Sequence, residues 1–261
     1  IPVDTEAVDP AIRAQLRIWA REHGLDAIVS TDGDGDRPLL TDATGEVIVG
    51  DILGQITGRS LGAEVAVTPV SSNTGAEDLF DRVVRTKIGS PFVIAGMAKA
   101  GGRVVGYEAN GGFLLGFEAA GPAGPLPALA TRDAVLPFVA PLVTATGGLA
   151  ALVATQPARF TAADRLQEVP TEKSLALVGA FDSDAAKRAD FLSLFGGEEA
   201  GIDRTDGLRM TLKDGRIVHL RPSGNAPELR FYAEADSPEA ARETLRAGLA
   251  ALGTALNQSS I

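Results

Sequence analysis

Hydrophobic and polar residues alternate along the chain in patterns that predict both helices and strands. Asp9, a proline and an amphipathic run predict a helix that ends at Gly24. The apolar segment 25–31 predicts a buried strand, and residues 39–50 predict a hairpin that turns near Gly45. Helical and strand patterns alternate further along the chain, which predicts an α/β layer with mostly parallel strands.

Three later segments carry weaker patterns. Residues 73–84 predict a helix, followed by a short strand around Arg85, and residues 121–130, rich in glycine and proline, predict a surface loop. The stretch 134–158 carries no charge but is interrupted by prolines such as Pro141. It therefore predicts two buried helices with a break between them, rather than a membrane span.

The order of the elements changes beyond Pro157. Residues 207–222 predict a hairpin with its turn at 213–215, residues 228–235 predict a third strand, and Ser237 begins a terminal amphipathic helix. Strands followed by a helix are typical of an α+β domain, so the sequence predicts a second, smaller domain here.

Composition excludes several classes of protein. The 261 residues are 45% hydrophobic and 22% charged, which indicates a folded globular chain, and the net charge of -10 disfavours nucleic acid and anionic membranes as partners. The absence of cysteine excludes disulfides and thiolate metal sites. The two histidines, His23 and His219, have patterns typical of structural or surface positions. The first residues lack the pattern of a signal peptide, so we expect a cytoplasmic location.

Three carboxylates crowd one glycine-containing loop directly after the predicted strand at 25–31. Asp32, Asp34 and Asp36 alternate with glycines, and Arg37 follows them. Carboxylates this close repel one another, so they either stay fully solvated in an acidic turn or are neutralised by a hard cation. Mg²⁺ suits such a loop, and Arg37 would then contact a phosphate oxygen beside the ion.

A second polar loop follows the predicted strand that ends near Tyr107. Glu108 accepts hydrogen bonds and Asn110 both donates and accepts them, so the pair can hold adjacent hydroxyl groups of a sugar. The alternative is an Asn-Gly turn beside a surface glutamate.

The third loop follows the predicted hairpin and concentrates hydrogen-bond donors. Guanidinium, hydroxyl, amide and backbone N–H groups meet in one turn, where a phosphate group can bind. The residues concerned are Arg221, Ser223, Gly224, Asn225 and Arg230. The alternative is a hairpin turn with two surface arginines.

These three loops, in this order, resemble those of the α-D-phosphohexomutases, the family of phosphomannomutases and phosphoglucomutases. The segment DGDGDR (32–37, the metal loop) resembles the magnesium loop of the family, YEANGG (107–112, the sugar loop) its sugar-recognition loop, and RPSGNAPELR (221–230, the phosphate loop) its phosphate-binding loop. The resemblance extends over nearly the whole chain. Ser71 and Ser90 stand where some members of the family have a lysine and a histidine.

The resemblance implies an α/β fold in three parts. Residues 1–47 would be the tail of domain two with the metal loop, residues 48–157 a mixed α/β domain of the domain-three type, and residues 158–261 a smaller α+β C-terminal domain, domain four. It also implies that the chain is the C-terminal part of a longer enzyme, because the phosphoserine motif of the family's first domain has no match in the sequence.

The implied activity is the interconversion of hexose 1-phosphate and hexose 6-phosphate, with mannose as the expected hexose, through a phosphoserine and a bisphosphorylated intermediate. Mg²⁺ on the three aspartates would be the cofactor, and Arg37 would support catalysis. Glu108 and Asn110 would bind the sugar, and the phosphate loop its non-reacting phosphate. The expected partners are a hexose phosphate and the N-terminal domains of the same protein, without which the chain would be inactive. The alternative is a non-catalytic protein that binds a phosphosugar and Mg²⁺.

Overall fold

The computed structural model describes residues 3–5, 7–224 and 226–258. The chain divides into two compact units, one over residues 1–157 and the other over residues 158–261. The first unit contains the metal loop and the sugar loop, and the second contains the phosphate loop.

The first unit combines helices with two larger groups of strands and one small hairpin. Its helices are α1 (Pro10–His23), α2 (Gly50–Ser60), α3 (Ser90–Ala100), α4 (Leu136–Thr144) and α5 (Leu149–Ala154). Its strands are β1 (Val29–Thr31), β2 (Pro38–Thr41), β3 (Val47–Ile48), β4 (Val65–Pro69), β5 (Arg82–Thr86), β6 (Val104–Tyr107), β7 (Phe113–Leu115), β8 (Ala119–Gly121), β9 (Gly124–Leu126) and β10 (Leu129–Asp133). A short 3₁₀ helix, Thr74–Asp78, precedes β5.

Two predictions for the first fifty residues are confirmed and one is wrong. Helix α1 begins after Asp9, whose side chain accepts a backbone hydrogen bond from the first turn, and it ends at Gly24 in a left-handed conformation. Strands β2 and β3 form the predicted hairpin around Gly45. The buried strand predicted over 25–31 is wrong in extent and burial. β1 has three residues and Val29 is exposed, because β1 lies at the edge of the three-stranded sheet β1-β2-β3.

A five-stranded sheet of order β10-β7-β6-β4-β5 forms the centre of the first unit. β4 pairs in parallel with β5 and β6, as predicted, but the β6-β7 and β7-β10 pairs are antiparallel. The prediction of mostly parallel strands is therefore wrong for two of the four pairs. Only residues 108–112 connect β6 to β7, and a connection this short joins antiparallel neighbours.

Two local predictions in this unit are wrong. The helix predicted over 73–84 does not form. The 3₁₀ helix occupies part of that segment, and β5 begins at Arg82, where two consecutive valines favour an extended chain. The segment 121–130, predicted to be a surface loop, contributes to the β8-β9 hairpin and to β10, although most of it is exposed.

The uncharged stretch 134–158 forms α4 and α5, which confirms the two helical pieces with a break. Its predicted burial holds for Ala140 and Leu149, whereas Val139 and Val143 are exposed. Within the described residues, none of the helices has both the length and the apolar character needed to cross a membrane.

The second unit packs helices against one face of a five-stranded sheet. Its strands are β11 (Phe160–Gln167), β12 (Glu199–Asp203), β13 (Leu208–Leu212), β14 (Ile217–Pro222) and β15 (Glu228–Ala235). Its helices are α6 (Thr171–Ser183), α7 (Ala185–Ser193) and α8 (Pro238–Gln258). The sheet order is β11-β15-β14-β13-β12, with every neighbouring pair antiparallel.

The alternation of apolar and polar residues in this sheet orients the phosphate loop. Leu220, Leu229 and Phe231 are buried in the core with residues of the helices. Because successive side chains of a strand point to opposite faces, Arg221 and Arg230 lie on the other, polar face. The predicted hairpin, third strand and terminal helix are confirmed as β13-β14, β15 and α8. β11, β12, α6 and α7 were not predicted.

Candidate functional site

The metal loop connects β1 to β2 and is wound around the carboxylate of Asp32. Asp32 Oδ1 accepts hydrogen bonds of 3.1–3.3 Å from the backbone N–H groups of residues 35–37. Gly35 has a left-handed φ of 78°, and the N–H of Asp32 donates to the carbonyl of Arg37 at 3.2 Å. This winding brings the three aspartates together.

The carboxylates of the metal loop converge. One oxygen from each of Asp32, Asp34 and Asp36 lies within 4.8 Å of the other two. Asp36 Oδ1 is buried and has no hydrogen-bond partner in the described part of the chain. Ionised carboxylates at this spacing repel one another, and a buried oxygen without a donor is unfavourable, so the donor set fits a hard cation. A fully solvated turn fits less well, because only Asp34 of the three is exposed.

Two arginines flank these carboxylates. Arg37 Nε lies 3.6 Å from Asp32 Oδ2, which is an ion pair without a hydrogen bond. Arg132, which no sequence motif revealed, places Nη2 2.7 Å from Asp36 Oδ2. Its side chain also packs on the sugar loop, where a β-carbon on Gly112 would lie 2.7 Å from Arg132 Cδ. Arg132 lies in β10, and the pairing of β10 with β7 brings it to both loops.

The sugar loop is a tight turn in which both predicted residues are buried. Glu108 is 5% exposed and Asn110 is 8% exposed. The N–H of Gly111 donates to the carbonyl of Glu108 at 2.9 Å, and Asn110 Oδ1 accepts from the N–H of Gly112 at 2.9 Å. The Asn-Gly turn of the alternative interpretation is therefore present, whereas its surface glutamate is not.

Ser90 holds the carboxylate of Glu108. The Ser90 hydroxyl donates to Glu108 Oε1 at 2.6 Å. Ser90 is the first residue of α3, and the N-terminus of a helix carries a partial positive charge that favours a carboxylate nearby. Ser90 of α3 thus contacts the sugar loop directly.

Close backbone contacts fix the sugar loop against other segments of the first unit. A β-carbon on Gly50, the first residue of α2, would lie 2.2 Å from the nitrogen of Gly111. A β-carbon on Gly111 would lie 2.8 Å from Pro38 Cγ, and the Thr5 hydroxyl donates to the carbonyl of Asn110 at 2.8 Å. Because Pro38 directly follows the metal loop, the structure brings the metal loop and the sugar loop together.

A buried polar cluster, also unmarked in the sequence, supports the loop after β4. Asp51 Oδ2 accepts from the N–H of Asn73 at 2.9 Å, and Gln55 Nε2 donates to Asn73 Oδ1 at 2.7 Å. The Arg85 guanidinium donates to the carbonyl of Pro69 at the end of β4 and to the carbonyls of Ser72 and Asn73 in the loop. Burial, and then the charge of Asp51, raise the pKa of Tyr107, so its hydroxyl stays protonated. The charge of Asp51 thus acts on Tyr107, the last residue of β6 before the sugar loop.

The phosphate loop connects β14 to β15 in the second unit. Arg221 and Arg230 are directly opposite each other across these strands. Ser223 is buried, and Gly224 is exposed in the turn. Asn225 lies outside the described residues. Two strand arginines and a buried serine therefore border one turn.

Each arginine of the phosphate loop has a carboxylate nearby. Arg221 Nε lies 2.8 Å from Asp206 Oδ2, and Arg230 Nη2 lies 3.7 Å from Glu228 Oε2. Both guanidinium groups are partly buried. Each guanidinium group thus has an acidic neighbour beside the turn.

Neither histidine has the environment of a catalytic residue. His23 is exposed at the end of α1. His219 is buried, stacks on Tyr232 with 5.1 Å between ring centroids, and has Nε2 2.5 Å from the carbonyl oxygen of Asp206. Burial lowers the pKa of His219 to about 4, so the ring is neutral near pH 7.

Two family models match the chain. The model for the alpha/beta/alpha domain III of phosphoglucomutase/phosphomannomutase matches residues 42–156, and the model for the C-terminal domain matches residues 159–251. The chain belongs to the phosphoglucomutase/phosphomannomutase family. This confirms the resemblance to the family, and with it a mixed α/β fold followed by the C-terminal domain of the family.

Individual members of the family agree with this assignment. A phosphomannomutase of Sinorhizobium fredii is 47% identical over 264 residues, which cover 98% of this chain and 56% of that protein. A family protein from Burkholderia thailandensis has a similar fold, with a TM-score of 0.69 and 19% identity over 97% of this chain and 50% of its own.

A third relative was solved with ligands. The N-acetylphosphoglucosamine mutase of Aspergillus fumigatus, in complex with GlcNAc-6P and magnesium, has a TM-score of 0.57 and 18% identity, and the match covers 88% of this chain and 49% of that one. The chain spans about half the length of the curated relatives it matches.

Proposed function

We propose that this chain supplies the metal-, sugar- and phosphate-binding parts of a phosphohexomutase that interconverts hexose 1-phosphate and hexose 6-phosphate. The proposal depends on the contact between the metal loop and the sugar loop in the first unit. There Arg132 pairs with Asp36 of the metal loop and packs on the sugar loop. Phosphoryl transfer uses a cation to neutralise charge on the transferred group, and this contact joins the segments proposed to bind the cation and the sugar. Mannose is the proposed hexose, because a relative 47% identical to this chain is a phosphomannomutase.

Asp32, Asp34 and Asp36 are proposed to hold Mg²⁺. Their convergent oxygens, and the buried Asp36 Oδ1 without a donor in the described residues, support this assignment. When bound, the ion neutralises negative charge on the phosphoryl group in transfer. Arg37 adds a guanidinium group next to this loop and can orient a phosphate oxygen there.

Glu108 and Asn110 are proposed to bind hydroxyl groups of the sugar. Ser90 occupies one side of the Glu108 carboxylate, which has further lone pairs to accept from a hydroxyl group. Their burial removes competing water, so each hydrogen bond to the sugar discriminates more strongly between hexoses.

The phosphate loop is proposed to bind the phosphate group that is not being transferred. Arg221 and Arg230 would pair with its oxygens, and Ser223 and the backbone at Gly224 would donate further hydrogen bonds. Asn225, outside the described residues, is proposed to take part through its side-chain amide.

The phosphoserine is proposed to lie in N-terminal domains of the same protein, which would act as the partner of this chain in catalysis. Without those domains, this chain is expected to bind the substrate but not to convert it. The proposed place of action is the cytoplasm.

Calorimetric titration of the chain with Mg²⁺ and with mannose 6-phosphate tests the binding part of the proposal. Asp36→Asn should weaken Mg²⁺ binding about tenfold, which is about 1.4 kcal/mol. Asp26→Asn, which changes an exposed aspartate outside the metal loop, should leave it unchanged. A folded chain that binds neither ligand would refute the proposal.

Turnover tests the catalytic part. The full-length protein, followed by ³¹P NMR, should convert mannose 1-phosphate to mannose 6-phosphate. A well-folded full-length protein that binds both ligands without turnover would instead favour the non-catalytic binding protein.

A further inference from the structure

β11, the first strand of the second unit, brings a third arginine next to the two of the phosphate loop. Arg165 of β11 is paired directly with Arg230 of β15, which is paired in turn with Arg221 of β14. Directly opposed residues of antiparallel strands project from the same face, with β-carbons about 4.5–5.5 Å apart. The three guanidinium groups therefore form one row on the polar face of the sheet.

Two carboxylates of the described residues accompany this row. Glu228 lies between two of the arginines, with Oε1 3.1 Å from Arg165 Nε and Oε2 3.7 Å from Arg230 Nη2. Asp206 pairs with Arg221 at 2.8 Å. Three positive and two negative side chains leave a charge of +1. Like charges placed directly opposite each other destabilise a sheet, so a bound anion would relieve repulsion here.

We infer that Arg165 is a third phosphate-binding residue, which acts together with Arg221 and Arg230 on the phosphate group of the hexose phosphate. The Glu228 carboxylate lies between Arg165 and Arg230, so both guanidinium groups face the same space. The Arg165 side chain is 48% exposed, so its guanidinium remains within reach of a ligand from solvent. The inference rests on the proposed function, since it takes the phosphate loop to bind the substrate phosphate.

Arg165 lies outside the phosphate loop and is separated from it by more than fifty residues of sequence. Only the strand order, in which β11 pairs with β15, brings it to the row. A guanidinium offers two parallel N–H groups that match two phosphate oxygens, whereas a lysine in the same place offers a point charge. Arginine and lysine at position 165 are therefore expected to differ in their affinity for the phosphate group.

Calorimetric titration of the chain with mannose 6-phosphate in the presence of Mg²⁺ tests the assignment. Arg165→Gln should raise the Kd about tenfold, and Arg165→Lys about threefold, because it keeps the charge and loses the paired N–H groups. The control is Arg204→Gln. Arg204 is also exposed and also ion-paired, with Asp182, and its loss makes the same change in net charge. Arg204→Gln should change the Kd for mannose 6-phosphate by less than about twofold.

Thermal unfolding separates binding from folding. Without ligand, Arg165→Gln should unfold within about 2 °C of the wild type, because an exposed ion pair contributes little and a like charge is removed. The rise in Tm caused by mannose 6-phosphate should be smaller in this variant. A Kd equal to that of the wild type, or an equal loss in Arg204→Gln, would overturn the assignment of Arg165 alone. A wild-type chain that binds no hexose phosphate would refute the proposed function, and this assignment with it.

Discussion

Replacing Ser90 with alanine removes the hydroxyl that donates to Glu108 Oε1 at 2.6 Å. Glu108 is buried, so water cannot readily replace the lost donor. A hydrogen bond to a charged group contributes about 1.5–3 kcal/mol, while alanine gains roughly 0.5 kcal/mol over serine in helix propensity. Since Ser90 is itself only partly buried, we expect the free energy of unfolding to fall by about 1–2 kcal/mol.

Urea denaturation of the whole chain measures this change, and the m-value should stay constant because the folded surface is unaltered. Ser90→Thr keeps the hydroxyl and should retain most of the stability. Ser60→Ala is the control. The Ser60 hydroxyl donates at 2.8 Å to the neutral carbonyl of Thr57 in its own helix, so its loss should change stability by less than about 0.5 kcal/mol.

Substrate affinity provides the second readout. Ser90→Ala should weaken binding of mannose 6-phosphate, because the Glu108 carboxylate loses the donor that orients it, and Ser90→Thr should restore it. If Ser90→Ala unfolds no more easily than Ser60→Ala and binds the sugar as the wild type does, Ser90 does not position Glu108.

Two further predictions concern the second unit. Gly248→Ala in α8 should lower the Tm by roughly 10 °C, because the new β-carbon would lie 2.1 Å from Cζ of the fully buried Phe231. Gly253→Ala in the same helix meets open space and should raise the Tm, because alanine has the higher helix propensity. Calorimetry that finds Tm shifts of the same sign for both variants would contradict this reasoning. The pKa of His219 is about 4 in the folded chain, below the ordinary value of 6.5. The unfolded chain therefore binds more protons between these two pH values. The free energy of unfolding should consequently fall by about 3 kcal/mol as the pH drops from 6.5 towards 4. Urea denaturation at several pH values should find a shallower loss in His219→Gln, and parallel losses would show that other groups are responsible.

Features that depend on a few consecutive residues could be predicted from the sequence. The metal loop follows from alternating aspartates and glycines, and α1 follows from a proline after Asp9 and a glycine at position 24. The β13-β14 hairpin follows from two alternating strands around a turn that ends in glycine, Gly215. In each case, local backbone conformation and side-chain alternation determine the structure.

Features that depend on distant partners could not be predicted. Val29 is exposed because β1 lies at a sheet edge, which its apolar sequence does not reveal. The contact of Arg132 with Asp36 requires the pairing of β10 with β7, and the row containing Arg165 requires the pairing of β11 with β15. An isolated arginine in a strand has no local pattern that marks it as part of a site, so strand order has to be known first.

The close contact between Gly50 and the backbone of Gly111 leaves no space for a longer sugar loop. An inserted residue would collide with the start of α2 on one side or with Pro38 on the other, and would push the acidic segment ahead of Pro38 out of register. On the proposed function, a change of hexose preference would require exchange of the side chains at positions 108 and 110 at constant loop length. On the same proposal, a longer grafted turn would disturb the metal loop together with the sugar loop.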